Sequence, residues 1–126
     1  MLDLKIVLGI LFIHWVCDFV LQTDWQAQNK SKRWDALLLH TGIYSTAFYA
    51  SLTIFTFLMG VSIRIYSLLI FLGVTFICHT ITDYFTSRVN SKLYANKQIH
   101  YFFVSVGFDQ WLHYVQLFLT YYLLTK

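Results

Sequence analysis

The sequence predicts an all-α polytopic membrane protein, a single domain built as a bundle of four transmembrane helices. Hydrophobic residues make up 58% of its 126 positions and charged residues only 12%, whereas about a quarter of the residues of an ordinary soluble protein are charged. Its apolar runs are close to the roughly 20 residues with which a helix crosses a bilayer. We therefore do not expect a stand-alone cytosolic enzyme.

Four apolar segments account for most of residues 1–126. They cover residues 4–21, 36–59, 63–85 and 99–124. A polar stretch at 23–34 joins the first two, a second at 87–98 joins the last two, and a tight turn near 60–64 joins the middle pair. The first segment is expected to be a retained span, because no small-residue cleavage motif follows it.

Lysine and arginine concentrate in two of these connections. Residues 23–34 and 87–98 hold six of the nine cationic residues, and short loops rich in Lys and Arg tend to stay in the cytoplasm. This predicts a multi-pass membrane protein with both termini outside and the two longer loops in the cytoplasm. The net charge of +3 is dispersed, so the expected partner is the lipid bilayer and not nucleic acid.

Histidine and aspartate recur at a spacing of four inside the apolar segments. The pairs are His14–Asp18, His79–Asp83 and Asp109–His113. Residues four apart lie on one face of a helix, and random placement would give roughly 0.5 such pairs. An ionised Asp in mid-membrane costs about 3 kcal/mol on insertion scales, so these residues need partners and indicate a functional site.

The pattern predicts a metal centre. Neutral imidazoles and carboxylates are ligands for Zn²⁺, Mn²⁺ and Fe²⁺, and helical bundles build two-ion sites from such inward-facing residues. We expect two divalent ions, zinc first with manganese or iron as alternatives, because a single catalytic zinc takes only three protein ligands. The expected ligands, near the cytoplasmic leaflet, are His14, Asp18, His40, His79, Asp83, Asp109 and His113.

Three residues have expected catalytic roles beside these ligands. Asp109 is predicted to accept a proton from the attacking water. Gln22 and Gln110 flank the motifs and are predicted to hydrogen-bond the ligands. Arg88 and Lys92 have two interpretations: attraction of a phosphate headgroup, or anchoring of a cytoplasmic loop.

A family resemblance accompanies these motifs. The strings HWVCDFVLQTDWQAQNK, HTITDY and DQWLH resemble a small family of bacterial and phage multi-spanning membrane proteins of unknown function. The resemblance implies a shared site but no activity. More distantly, the repeated HxxxD is similar to that of zinc phospholipase C-type enzymes and membrane-bound metal-dependent hydrolases, whose helices bind a zinc cluster that activates water. This sequence is shorter and has no Glu.

The predicted function is an integral membrane metal-dependent hydrolase acting on a phosphoester or lipid-linked substrate. Two alternatives stay open. A divalent-metal or proton transport protein would use the same His and Asp chain, and with four short helices it would need to be a homo-oligomer. A small structural or phage-encoded membrane interaction protein would use these residues only as hydrogen bonds between helices.

Overall fold

A computed structural model describes residues 3–126, and its regular structure is entirely helical over that range. The segments are α1 (Leu4–Trp15), a π-helical continuation (Val16–Val20), α2 (Asp24–Asn29), α3 (Trp34–Leu58), α4 (Ile65–Ala95) and α5 (Ile99–Leu124). The predicted all-α fold class is confirmed for the described residues.

The helix α4 is the one described helix that is long and apolar enough to cross a membrane by length and composition. The sequence had predicted four such spans. Both α3 and α5 exceed 20 residues, but their hydroxyl, His and Gln side chains lower the mean hydropathy. The α-helical part of the first predicted span has only 12 residues before it changes to a π-helix.

The helix α4 continues for ten residues past the predicted end of the third span, into the stretch that was expected to form a loop. Polar residues such as Arg88 and Lys92 end the apolar run, but no Gly or Pro interrupts the helix there. Asp83 therefore lies 12 residues before the end of α4, or about 18 Å along its axis. The hairpin of α4 and α5 extends that far beyond Asp83.

The first connection also contains a helix that was not predicted, the short α2. Thr23 caps it: its hydroxyl accepts a hydrogen bond from the Gln26 backbone, and the Gln26 side chain accepts one from the Thr23 backbone. This reciprocal arrangement is a capping box. It directs the chain back from the end of the first span toward the start of α3.

The bundle has an apolar end and a polar end. The α3–α4 turn lies at the apolar end, whose buried residues include Ile10, Phe48, Leu52, Phe71 and Leu117. Buried His and Asp residues occupy the opposite half. Large apolar side chains cover the outer faces of the long helices, for example Phe57, Leu69 and Phe103. Buried ionisable groups and extensive exposed apolar surface are both uncommon in a soluble protein.

Gly60 ends α3 in a left-handed conformation with φ of 69°. The Val61 N–H then donates to the Thr56 carbonyl at 2.8 Å, which satisfies a carbonyl at the helix end. We expect Gly60→Ala to destabilise the protein by about 1–2 kcal/mol, because a Cβ clashes in this region. Thermal unfolding in detergent measures the loss. Gly73→Ala, where an added Cβ meets nothing within 4 Å, is the matched control, and equal melting temperatures would contradict the prediction.

Candidate metal centre

Five helical segments deliver seven buried ionisable side chains to the polar half of the bundle. We call these seven the polar cluster: His14, Asp18, His40, His79, Asp83, Asp109 and His113. None is more than 9% exposed. All seven were predicted as ligands from the sequence. The structure brings them to one place because each lies on the inward face of its helix.

The first group within the polar cluster consists of Asp18, His40, His79 and Asp83, whose ligand atoms all lie within 4.8 Å of one another. His40 Nε2 is 3.1 Å from Asp18 Oδ1 and 3.3 Å from Asp83 Oδ2. His79 Nε2 is 3.5 Å from Oδ1 of both aspartates. The two Nε2 atoms are 3.3 Å apart.

These separations suit a small cation. Zinc bonds of 2.0–2.1 Å imply ligand atoms about 3.3 Å apart in a tetrahedron. Two facing imidazole nitrogens can share only one hydrogen bond, whereas a divalent ion accepts a lone pair from each. The first group therefore has the donor types and the spacing of a metal site.

A second group consists of Asp83, Asp109 and His113. His113 Nε2 lies 3.2 Å from Asp83 Oδ1 and 3.4 Å from Asp109 Oδ1. Asp83 belongs to both groups. Either group could hold a metal ion, and the two groups have the Asp83 carboxylate in common.

His14 belongs to neither group. Its Nδ1 is 2.7 Å from the Tyr44 hydroxyl, its Nε2 is 2.8 Å from Gln110 Oε1, and Asp18 Oδ2 is 3.6 Å away. Both ring nitrogens thus have hydrogen-bond partners beside the two groups, and the expected role of His14 as a ligand stays a prediction.

The two glutamines that were predicted to assist the ligands differ in placement. Gln110 Nε2 donates to Asp18 Oδ2 at 3.3 Å and to Asp109 Oδ2 at 3.1 Å, so Gln110 links both groups. The buried Oε1 of Gln22 has no hydrogen-bond partner among residues 3–126. The structure thus brings Gln110 to the polar cluster but shows no such bond from Gln22.

Three residues at the polar cluster were not predicted. Tyr44 stacks on His79 with ring centroids 3.9 Å apart, and Thr86 donates to Asp109 Oδ1 at 2.6 Å. Both could have been found from helical spacing, since Tyr44 follows His40 by four positions and Thr86 follows Asp83 by three.

Lys30 is the third, and sequence reasoning treated it only as a topology signal. Its Nζ donates to Asp83 Oδ2 at 2.8 Å, and its side chain is 18% exposed. Burial by itself lowers the pKa of the Lys30 ammonium, but the Asp83 and Asp18 carboxylates outweigh burial and raise that pKa. Lys30 therefore stays charged and offsets part of the negative charge of the three aspartates.

The fold and the polar cluster define the class: an all-α protein with buried His and Asp groups able to hold a metal ion. The family model described as "Protein of unknown function (DUF3307)" matches residues 6–126. The chain belongs to this family, which confirms the resemblance to a family of unknown function. No curated protein and no solved structure gives a significant match.

Proposed function

We propose that the protein is an integral membrane hydrolase with a two-ion metal centre, acting on a phosphoester or lipid-linked substrate. The observation that carries the proposal is the membership of Asp83 in both ligand groups. A shared carboxylate could hold two cations side by side. Phosphatases and nucleases use such pairs to stabilise the attacking and leaving oxygens at phosphorus.

The proposal includes four helices that span the bacterial inner membrane, with both chain termini on the outer side of that membrane. The apolar outer faces of α3, α4 and α5 support it, because a contiguous apolar surface marks a contact with lipid or protein. The connection from residue 21 to residue 33, together with residues 87–98 at the end of α4 and in the α4–α5 turn, carries six of the nine cationic residues. This distribution supports a location of the polar cluster in the cytoplasmic half of the bilayer.

The donor set favours zinc, with manganese or iron as the next candidates, since imidazole and carboxylate suit all three. Such an ion supplies a Lewis acid and lowers the pKa of a coordinated water toward neutrality. Asp109, the most exposed of the three aspartates, would be the proton acceptor in hydrolysis. Gln110 holds the carboxylates of Asp18 and Asp109 in place.

Transport is a second candidate, and one observation favours it. Gln116 Nε2 donates to Thr75 and to Thr120 at 3.2 Å each, which extends the polar interior beyond His113 toward the apolar end. Beyond these residues the interior is closed by Leu117, Phe71 and neighbouring apolar side chains. If transport is the function, Gln116→Leu should block ion flux in proteoliposomes while leaving the metal content unchanged.

Metal analysis by mass spectrometry on detergent-purified protein tests the proposed centre. We expect near-stoichiometric zinc, manganese or iron in the wild type, and a loss in His79→Ala, because His79 lies in the first group and is fully buried. His100→Ala is the control, since His100 is exposed and lies outside both groups.

The outcome decides between the hydrolase and a structural role. Phosphodiester and lipid-phosphate substrates would be screened with the metal that is found. The hydrolase proposal would be overturned if the wild-type protein is metal-free and takes up no metal on reconstitution, and if the His79→Ala variant folds as well as the wild type. The polar cluster would then serve as hydrogen bonds between helices.

A further inference from the structure

A cavity of about 440 Å³ lies beside the polar cluster, between the end of α2 and the α4–α5 hairpin. Its volume is within the range of small-molecule sites. Ser87 and Asn90 contribute to its wall from α4, one and two turns beyond Asp83. A rise of about 1.5 Å per residue places them roughly 6 and 10 Å from Asp83 along the helix axis.

Two polar groups on this wall have no partner within the described part of the chain. Ser87 Oγ and Asn90 Oδ1 are buried atoms without a hydrogen bond. Buried polar atoms are nearly always paired in proteins, so an unpaired one needs an explanation. Both belong to residues that line the same cavity. The Ser87 hydroxyl can donate to a ligand oxygen, whereas Asn90 donates through its Nδ2 group and not through the unpaired Oδ1, which only accepts.

The cavity is also positively charged. Lys30 and Lys32 line it from the α2 side, and no carboxylate is among its lining residues. An ammonium group has three N–H donors. Lys30 uses one N–H donor in its hydrogen bond to Asp83, so its other N–H donors are available to a ligand oxygen. Lys32 is exposed, and its N–H donors are available as well.

We propose that this cavity binds the phosphate group of the substrate. Lysine ammonium groups, a serine hydroxyl and an asparagine amide are donors suited to phosphate oxygens. Lys30 contacts both the cavity and Asp83, so a phosphate held there lies next to the polar cluster. The link to hydrolysis rests on the proposed function, whereas phosphate binding itself does not need the metal centre.

The opposite wall indicates what the phosphate is attached to. Phe102 and Val106 of α5 line it together with Tyr94, and the neighbouring Phe103 and Val104 are exposed on the outer face of α5. An acyl chain could leave the cavity along this apolar surface. A lipid phosphate and a free phosphate share the same headgroup chemistry, and binding experiments distinguish them.

Isothermal titration calorimetry tests the site with three probes: dioctanoyl phosphatidic acid, inorganic phosphate and dioctanoylglycerol. Protein in detergent is titrated as purified and again with EDTA. We expect phosphatidic acid to bind under both conditions, and Asn90→Leu to weaken it about tenfold. Lys32→Met should weaken it about threefold, as for an exposed ion pair. Neither variant should change metal content, because neither residue belongs to a ligand group.

Lys92→Met is the matched control, because Lys92 is exposed on the same helix but does not line the cavity. Tighter binding of phosphatidic acid than of inorganic phosphate supports a lipid source, and equal binding supports a free phosphate ester. The phosphate site would be overturned if dioctanoylglycerol binds as tightly as phosphatidic acid. It would also be overturned if Lys92→Met weakens the binding of phosphatidic acid as much as Lys32→Met does. Protein that purifies without metal and takes up none on reconstitution, yet binds phosphate, would overturn the hydrolase alone.

Discussion

Asp83→Asn is expected to cost the protein both metal ions at once. Asp83 is the only residue that the two ligand groups share among the described residues, and an amide cannot bridge two cations as a carboxylate does. We expect a larger fall in affinity than the roughly 10–100-fold that follows loss of a ligand's hydrogen-bond partner. Metal content after dialysis, measured by mass spectrometry, gives the result directly.

Two companion variants make this experiment specific. Asp109→Asn should remove one ion only, because Asp109 belongs to the second group alone. Asp24→Asn should change nothing, since Asp24 is exposed at the start of α2. The double variant Asp83→Asn/Lys30→Met controls for unfolding, because Asp83→Asn alone leaves the Lys30 ammonium without its ion-pair partner. Retention of one ion by this double variant would contradict a bridging role.

Removal of the metal by EDTA should lower the melting temperature by on the order of 10 °C. An ion bound at 1,000 times its dissociation constant stabilises the folded state by about 4.1 kcal/mol, and a chain of this size shifts by a few degrees per kcal/mol. The physical reason is that three buried aspartates lie close together and repel one another when no cation is bound. Thermal unfolding in detergent, with and without EDTA, measures the shift.

The choice of ion added back provides the control. Zinc should restore the melting temperature and magnesium should not, because magnesium prefers oxygen ligands and gives up its waters reluctantly. Asp83→Asn should be insensitive to EDTA. An equal shift in wild type and Asp83→Asn would show that the chelator acts elsewhere in the molecule.

The sequence predicted the long helices better than their ends. The long apolar runs in the sequence correctly located the central parts of α3, α4 and α5, because runs of that length indicate helices. The end of α4 at Ala95 was missed, since hydropathy reports polarity and a polar sequence can remain helical. The π-helix at Val16–Val20 was also missed, because its extra residue per turn has no signature in a single sequence.

For the site, the spacing of residues along one helix could be interpreted from the sequence, whereas contacts between different helices could not be predicted. The i,i+4 pairs correctly indicated that His79 and Asp83 share a face, as their 3.5 Å separation shows. The contact of Lys30 with Asp83 spans 53 positions and depends on how the first connection folds back. The same limit applies to His14, whose partners Tyr44 and Gln110 are on other helices.

The order of the polar contacts along the chain has a consequence for biogenesis. His14 reaches Gln110, which lies 96 positions later, and Asp83 reaches His113 on the last helix. In the proposed membrane setting, a nascent chain inserted from its N-terminus would carry Asp18 and Asp83 before all of their partners have been synthesised. An unpaired ionised group there would cost several kcal/mol, so we expect the bundle to close fully only once α5 has been made.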